Sequence, residues 1–161
     1  MLKDERSGKI ALLAHCILNQ NSRVFGLAER SSAITEIIEF LIQNEIGILQ
    51  MPCPELACAG ILRLSKTKEQ YDNAPFREYC RKIAKELANQ IQEYEKCGIK
   101  LKLAIGVDGS PSCGVSKPSG ILIEELRSAL VEKQISAPFH GIRYEHLKKD
   151  INKLEKMIKT T

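Results

Sequence analysis

The stretch Ile99-Lys100-Leu101-Lys102-Leu103-Ala104-Ile105-Gly106-Val107, continued by Asp108-Gly109-Ser110-Pro111-Ser112-Cys113-Gly114, decides how this chain is read. Its first half alternates apolar and polar residues and then becomes apolar, the pattern of a strand. Its second half places small residues, one proline and one thiol where that strand should end. A Gly- and Ser-rich turn lets backbone N–H groups approach a ligand, and a thiol held in such a turn can meet a metal or an electrophile. Alone, the turn also reads as ordinary punctuation containing a half-buried Cys. Its neighbours in the sequence change that reading, because the pattern occurs three times.

Upstream, Lys9 to His15 reads as a strand buried on both faces, and it runs into Cys16-Ile17-Leu18-Asn19 and then Arg23. Ser31 or Ser32 is placed to cap a helix carrying Ile34, Ile37, Ile38, Leu41 and Ile42 at helical spacing. A second strand, Ile46 to Met51, stops at Pro52-Cys53-Pro54-Glu55, where two prolines hold the thiol in a stiff turn. The segment to Asp72 reads as loop. Asn73 and Pro75 open a long helix, Phe76, Tyr79, Cys80, Ile83, Leu87, Ile91 and Tyr94 line one face of it, and Gly98 ends it. After the third strand, Ser119 is placed to cap a helix containing Leu122, Ile123, Leu126, Leu130 and Val131. A short fourth strand is expected near Ile135 to Phe139, then a last helix with Leu147, Ile151, Leu154 and Ile158.

Strands alternating with helices predict α/β architecture: a single three-layer Rossmann-like domain over residues 1–161, with a small parallel sheet of about four strands flanked by helices. Ligands in such sheets bind at the carboxyl ends of the strands, near a topological switch point. Cys16, Cys53 and Cys113 each follow a predicted strand and so are expected to converge. The other thiols read differently. Cys80 lies on an apolar helix face, Cys97 beside a helix-ending glycine, and Cys58 is expected to be a small buried residue rather than a fourth ligand. His15, next to Cys16 on a strand, is expected to point to the opposite face, and His140 and His146 show no partner pattern.

Composition excludes some classes. With 161 residues, 43% hydrophobic and 27% charged, the chain can bury its own core, and no apolar run approaches a membrane span. The run Ile10 to Ala14 is shorter than a signal-peptide core, so a cytoplasmic location is expected, where six cysteines are better read as catalytic or metal-binding than as disulfides. Net charge is +4, and the carboxyl-terminal segment sets Arg143, Lys148, Lys149, Lys153, Lys156 and Lys159 against Glu145, Asp150 and Glu155. That segment reads as a solvated helix face, with a weak RNA or nucleotide-phosphate contact as the other reading.

Three converging thiolates suit a soft metal: Zn(II), Cu(I) or an iron–sulfur cluster. A structural zinc would want a fourth protein ligand and usually close C-x-x-C pairs, which are absent. Three ligands leave a coordination position open, as a catalytic site requires.

The set Cys16-Ile17-Leu18-Asn19 with Arg23, Pro52-Cys53-Pro54-Glu55 and Ser110-Pro111-Ser112-Cys113-Gly114 resembles that of the TudS-type desulfidases, the thiouracil desulfidase family, over about Lys9 to Leu130. The chain looks like a divergent member. Where the family usually shows Gly-Gly-Leu and then Pro-Arg, this chain reads Leu56-Ala57-Cys58-Ala59-Gly60-Ile61-Leu62-Arg63, and Arg23-Val24-Phe25-Gly26 replaces an Arg-Tyr-Asp-Gly-like stretch. The resemblance implies a [4Fe-4S] cluster held by Cys16, Cys53 and Cys113, with the fourth iron open to the sulfur of a thiolated pyrimidine base or nucleotide. It implies non-redox, hydrolytic removal of sulfur as hydrosulfide, with Glu55 as general base and Ser110 relaying a proton or orienting substrate. Ser112, Arg23 and Lys117 are the candidate substrate contacts, the last two for a phosphate, with surface charge as the equal reading of each. Thiolated tRNA is the less favoured substrate. A non-catalytic iron–sulfur, soft-metal or sulfur carrier is the alternative function, and a zinc or thiol redox module a third.

Overall fold

The computed structural model describes residues 3–160; Met1, Leu2 and Thr161 lie outside them. Four strands form one all-parallel sheet: β1 (Lys9–Ala14), β2 (Gly47–Met51), β3 (Lys100–Val107) and β4 (Phe139–Ile142). Their spatial order is β2-β1-β3-β4. The chain therefore winds outward from β1 in one direction to β2, then crosses over β1 to continue in the other. The switch point lies between β1 and β3, at whose carboxyl ends ligands are expected to bind.

The connections are helical. Short α1 (His15–Leu18) follows β1, and α2 (Thr35–Gln43) leads to β2. After β2 come α3 (Pro54–Ala59), α4 (Lys68–Tyr71) and the long α5 (Ala74–Lys96). Helix α6 (Ile121–Glu132) joins β3 to β4, and α7 (Leu147–Thr160) ends the chain. Helices α5 and α6 pack together, and α2 packs with α7. Burying the two central strands on both faces leaves Leu12, Leu13, Leu103 and Ile105 with no exposed surface, which is why those strands read as nearly continuous apolar runs. The β1–β3 register shifts between Ile10 and Ala11, so that Ile10 pairs with Leu101 and Ala11 with Leu103.

Local departures from the sequence reading have physical causes. The fourth strand starts at Phe139 rather than Ile135, because Ile135 closes α6 instead: Gln134 takes φ 58° and the Ile135 N–H bonds the Leu130 carbonyl at 2.9 Å. Ser119 does not cap α6. Gly120 precedes the helix, and the Ile121 and Ile123 N–H groups donate to the Pro111 and Ser112 carbonyls of the strand-end turn at 3.0 and 3.2 Å. Neither Ser31 nor Ser32 caps α2, whose capping position is Ile34, bonded through its N–H to the Ile17 carbonyl at 2.9 Å. The segment read as loop before Asp72 contains α3 and α4, the latter opened by a Thr67–Gln70 capping box. Asn73 does open α5 as expected, accepting the Phe76 N–H.

Candidate functional site

Each of the three cysteines sits just beyond a strand's carboxyl end, on a local structure that its neighbours dictate. Cys16 lies in the first turn after β1, since the chain coils into α1 as soon as the strand stops. Cys53 is the capping residue of α3, with Pro54 at the first helical position, and its Sγ accepts the Leu56 N–H at 3.4 Å. Cys113 lies in the turn after β3. Its carbonyl accepts the Val107 N–H at 3.2 Å, folding the turn back against its own strand. That contact requires a glycine: a Cβ at Gly106 would stand 1.9 Å from the Cys113 oxygen. On the other side a Cβ at Gly120 would meet the Ser112 carbonyl at 2.3 Å, so backbone presses on the turn from both flanks.

The three thiols line one cavity of about 270 Å³, together with Glu55, Ser110, Ser112, Arg23 and Tyr144. Among the described residues no three His, Cys, Asp or Glu side chains stand close enough to hold one metal ion. All six cysteines are free. A hydrogen bond from the Cys113 thiol, with Arg23 alongside, holds Cys16 below the usual thiol range even though burial opposes it; the same bond and burial hold Cys113 well above that range. Burial also raises Cys53. Cys58, expected to be buried, is exposed and lies outside the cavity, and Cys97 is exposed too. Cys80 is buried in the core, where burial pushes its thiol up to about 12.

Glu55, in the first turn of α3, is 8% exposed. The Ser112 hydroxyl donates to its Oε2 at 2.5 Å, and the Ser110 hydroxyl reaches the same oxygen at 3.4 Å. The two serine oxygens lie 3.3 Å apart. Ser110 Oγ also accepts the Cys113 N–H at 3.1 Å, so one hydroxyl ties the thiol's backbone to the carboxylate. The other carboxylate oxygen, Oε1, faces Arg63 Nε at 3.9 Å, and that side chain is 5% exposed. Arg63 spends its terminal nitrogens on backbone, donating to the Gly60 carbonyl at 3.2 Å and the Ser22 carbonyl at 2.9 Å.

Sequence reasoning missed three members of this site. Arg63 is one. Tyr144 is another: its hydroxyl accepts a bond from Arg23 Nη1 at 3.1 Å, and the guanidinium carbon stands 5.1 Å from its ring centre. Burial, and then the neighbouring Cys16 thiolate, push the Tyr144 phenol up to about 12. The third is Gln20, 1% exposed, whose amide donates to the Cys16 carbonyl at 2.7 Å and accepts the Glu29 N–H at 2.8 Å. Among the candidate substrate contacts, Arg23 and Ser112 line the cavity and Lys117 does not. His15 starts α1 rather than ending β1; it lines the cavity and bonds Gln50 Oε1 through Nδ1 at 2.7 Å.

The arrangement joins a soft donor set to a buried carboxylate that two hydroxyls contact, in a cavity that Val24 and Leu27 also line. A family model described as "Putative 2-thiouracil desulfurase" matches residues 8–156. An uncharacterized protein of Methanocaldococcus jannaschii is 44% identical over 155 residues, covering 94% of this chain and 97% of that protein. No solved structure matches the chain significantly.

Proposed function

The chain belongs to the 2-thiouracil desulfurase family, and from that premise we propose that it exchanges the C=S of a thiolated pyrimidine base or nucleotide for C=O by hydrolysis, on a [4Fe-4S] cluster held by Cys16, Cys53 and Cys113. The observation that carries this reading is the convergence of those three thiols with Glu55 on one cavity. The donor set fits the cluster. Thiolates are the ligands that iron–sulfur clusters take, and these three line one cavity. Three protein ligands leave one iron open.

When bound, the cluster would supply a soft Lewis acid for the thione sulfur, which leaves the ring carbon more electrophilic. The remaining chemistry belongs to the protein. Glu55 takes a proton from the attacking water, whose oxygen bonds to the ring carbon as the C–S bond breaks. Ser112 and Ser110, both on Glu55 Oε2, hold the carboxylate in place, and Ser110, which also accepts the Cys113 N–H, passes the proton toward the departing sulfur. Hydrosulfide leaves with one of the water's protons, the other is lost to Glu55 as the pyrimidine's carbonyl forms and passes to solvent, and no electrons are transferred. Arg23, held over Tyr144, presents a cation at the wall of the cavity to a polar group of the substrate.

Protein prepared anaerobically should contain about four iron and four sulfide per chain. It should then release hydrosulfide from 2-thiouracil or a thiouridine nucleotide through many turnovers. Iron-free protein after anaerobic reconstitution overturns the cluster. A cluster-loaded protein that yields a single equivalent of sulfide overturns catalysis and makes the chain a carrier.

A further inference from the structure

Among the described residues three buried side-chain atoms lack a hydrogen-bond partner: Glu36 Oε2, the Tyr71 hydroxyl and Arg63 Nε. Of these three residues only Arg63 lines the cavity that holds the thiols, and its side chain is 5% exposed. A buried donor left unpaired is costly, so native proteins rarely keep one without a bound molecule to satisfy it.

Arg63 Nε faces Glu55 Oε1 at 3.9 Å. That is too long for a hydrogen bond, whose N–O distance is about 2.7–3.2 Å, and neither group is free to close the gap. The terminal nitrogens of the guanidinium are tied to the Gly60 carbonyl at 3.2 Å and the Ser22 carbonyl at 2.9 Å. Gly60 ends α3 and Ser22 follows α1, so two separate segments fix the side chain. The carboxylate is held from its other oxygen, by Ser112 at 2.5 Å and Ser110 at 3.4 Å. A direct bond between Arg63 and Glu55 would break contacts on one side or the other. A fixed donor and a fixed acceptor at this spacing are suited to one bridging water, which accepts from Nε–H and donates to Oε1.

We propose that Arg63 is a positioning residue for the hydrolytic water, which Arg63 Nε and Glu55 Oε1 hold between them at the wall of the cavity. The water's role rests on the desulfurase reading, and its place rests on the geometry alone. Held in this way, the water points one hydrogen at Oε1, the atom that takes it as a proton, and spends one lone pair on Nε–H. Its other lone pair remains for the ring carbon, and its second hydrogen stays on the oxygen until the carbonyl forms. An N–H donor on that oxygen fixes its direction, which a lone carboxylate does not.

Two substitutions separate this role from the anchoring of the chain around Arg63. Gln carries its amide nitrogen at the same number of bonds from the backbone as Arg Nε, and Met carries a methyl group there; both delete the bonds to Ser22 and Gly60. The assay uses protein reconstituted with the proposed cluster, with 2-thiouracil, below the melting transition of either variant. Arg63→Met should lose about 10²-fold in kcat with KM unchanged within about twofold. Arg63→Gln should keep a kcat at least about tenfold above that of Arg63→Met, at the same iron content and denaturation midpoint as that variant. Equal losses in the two variants make Arg63 a structural anchor and overturn the proposal. A raised KM at unchanged kcat places Arg63 on the substrate and overturns it too. A crystal structure of the substrate-free wild type tests the water without any assay: solvent density should stand about 2.6–3.2 Å from both Arg63 Nε and Glu55 Oε1. Both side chains ordered with no density between them overturns the proposal and leaves the desulfurase reading intact. Density there in a cluster-loaded wild type that never releases hydrosulfide defeats the desulfurase reading and leaves the water's place standing.

Discussion

Glu55 and Arg63 show how one residue's role can depend on another's backbone contacts. Replacing Glu55 with Gln removes the proposed base while leaving an amide oxygen for Ser112, so the proposed hydrosulfide release from 2-thiouracil should fall about 10²- to 10⁴-fold with the iron content unchanged. Loss of iron in that variant would make Glu55 structural. Arg63→Met should act differently. It deletes the bonds to Ser22 and Gly60 that hold the loop after Cys16 against α3, and leaves Glu55 without its facing cation. A loss of about 2 kcal/mol in urea unfolding is expected, from charged donors to backbone carbonyls, the Ser22 carbonyl partly buried. Glu55 was legible from its position two residues after a Cys in a Pro-Cys-Pro-Glu turn. Arg63, Tyr144 and Gln20 were not, because their contacts reach across the fold: Gln20 Nε2 meets the Tyr144 hydroxyl at 3.3 Å, 124 residues away. No local spacing encodes such a pair.

At the level of elements, the turn after β3 is a folded object in its own right. Its carbonyls start α6, and its Cys113 carbonyl lies against the bare backbone of Gly106. Gly106→Ala should therefore destabilise the protein by about 3 kcal/mol, read as a shifted denaturation midpoint, and should loosen Cys113 as well. Asp108 fastens the same turn from its other end. Burial alone would raise its carboxyl, but the Ser116 and Val115 hydrogen bonds outweigh burial and hold it below 3.8. A carboxyl lowered in the folded state stabilises the protein above its unfolded pKa, and that contribution disappears as pH falls through the folded value. Wild type should therefore exceed Asp108→Asn in stability at neutral pH, and the two should converge on acidification below about pH 4. The sequence pattern located β1, β2, β3 and the long helix because each is long enough for its period to show. It misplaced β4 and the caps of α2 and α6, since Ile135 and the helix starts are satisfied by backbone groups from other segments. Backbone partners leave no residue-type signal.

Across the whole molecule, the sheet positions the three thiols and the core holds the sheet. Leu103 on β3 and Leu12 on β1 have no exposed surface and lie in the middle layer, so truncating either to Ala should cost about 2–5 kcal/mol. Reconstituted with the proposed cluster, both variants should also lose iron in proportion to the unfolded fraction, measured as iron per chain against denaturant midpoint. The β2-β1-β3-β4 order has a consequence for how the protein is made. The first two strands to leave the ribosome are neighbours at one side of the sheet, and the strand that must flank β1 on its other side is synthesised third. A growing chain that has exposed Cys16 and Cys53 cannot present the third corner until β3, its turn and the start of α6 have emerged and crossed over β1. Assembly of the proposed cluster would thus be timed by the order of synthesis: release of most of the chain precedes the first moment at which all three thiols could receive it.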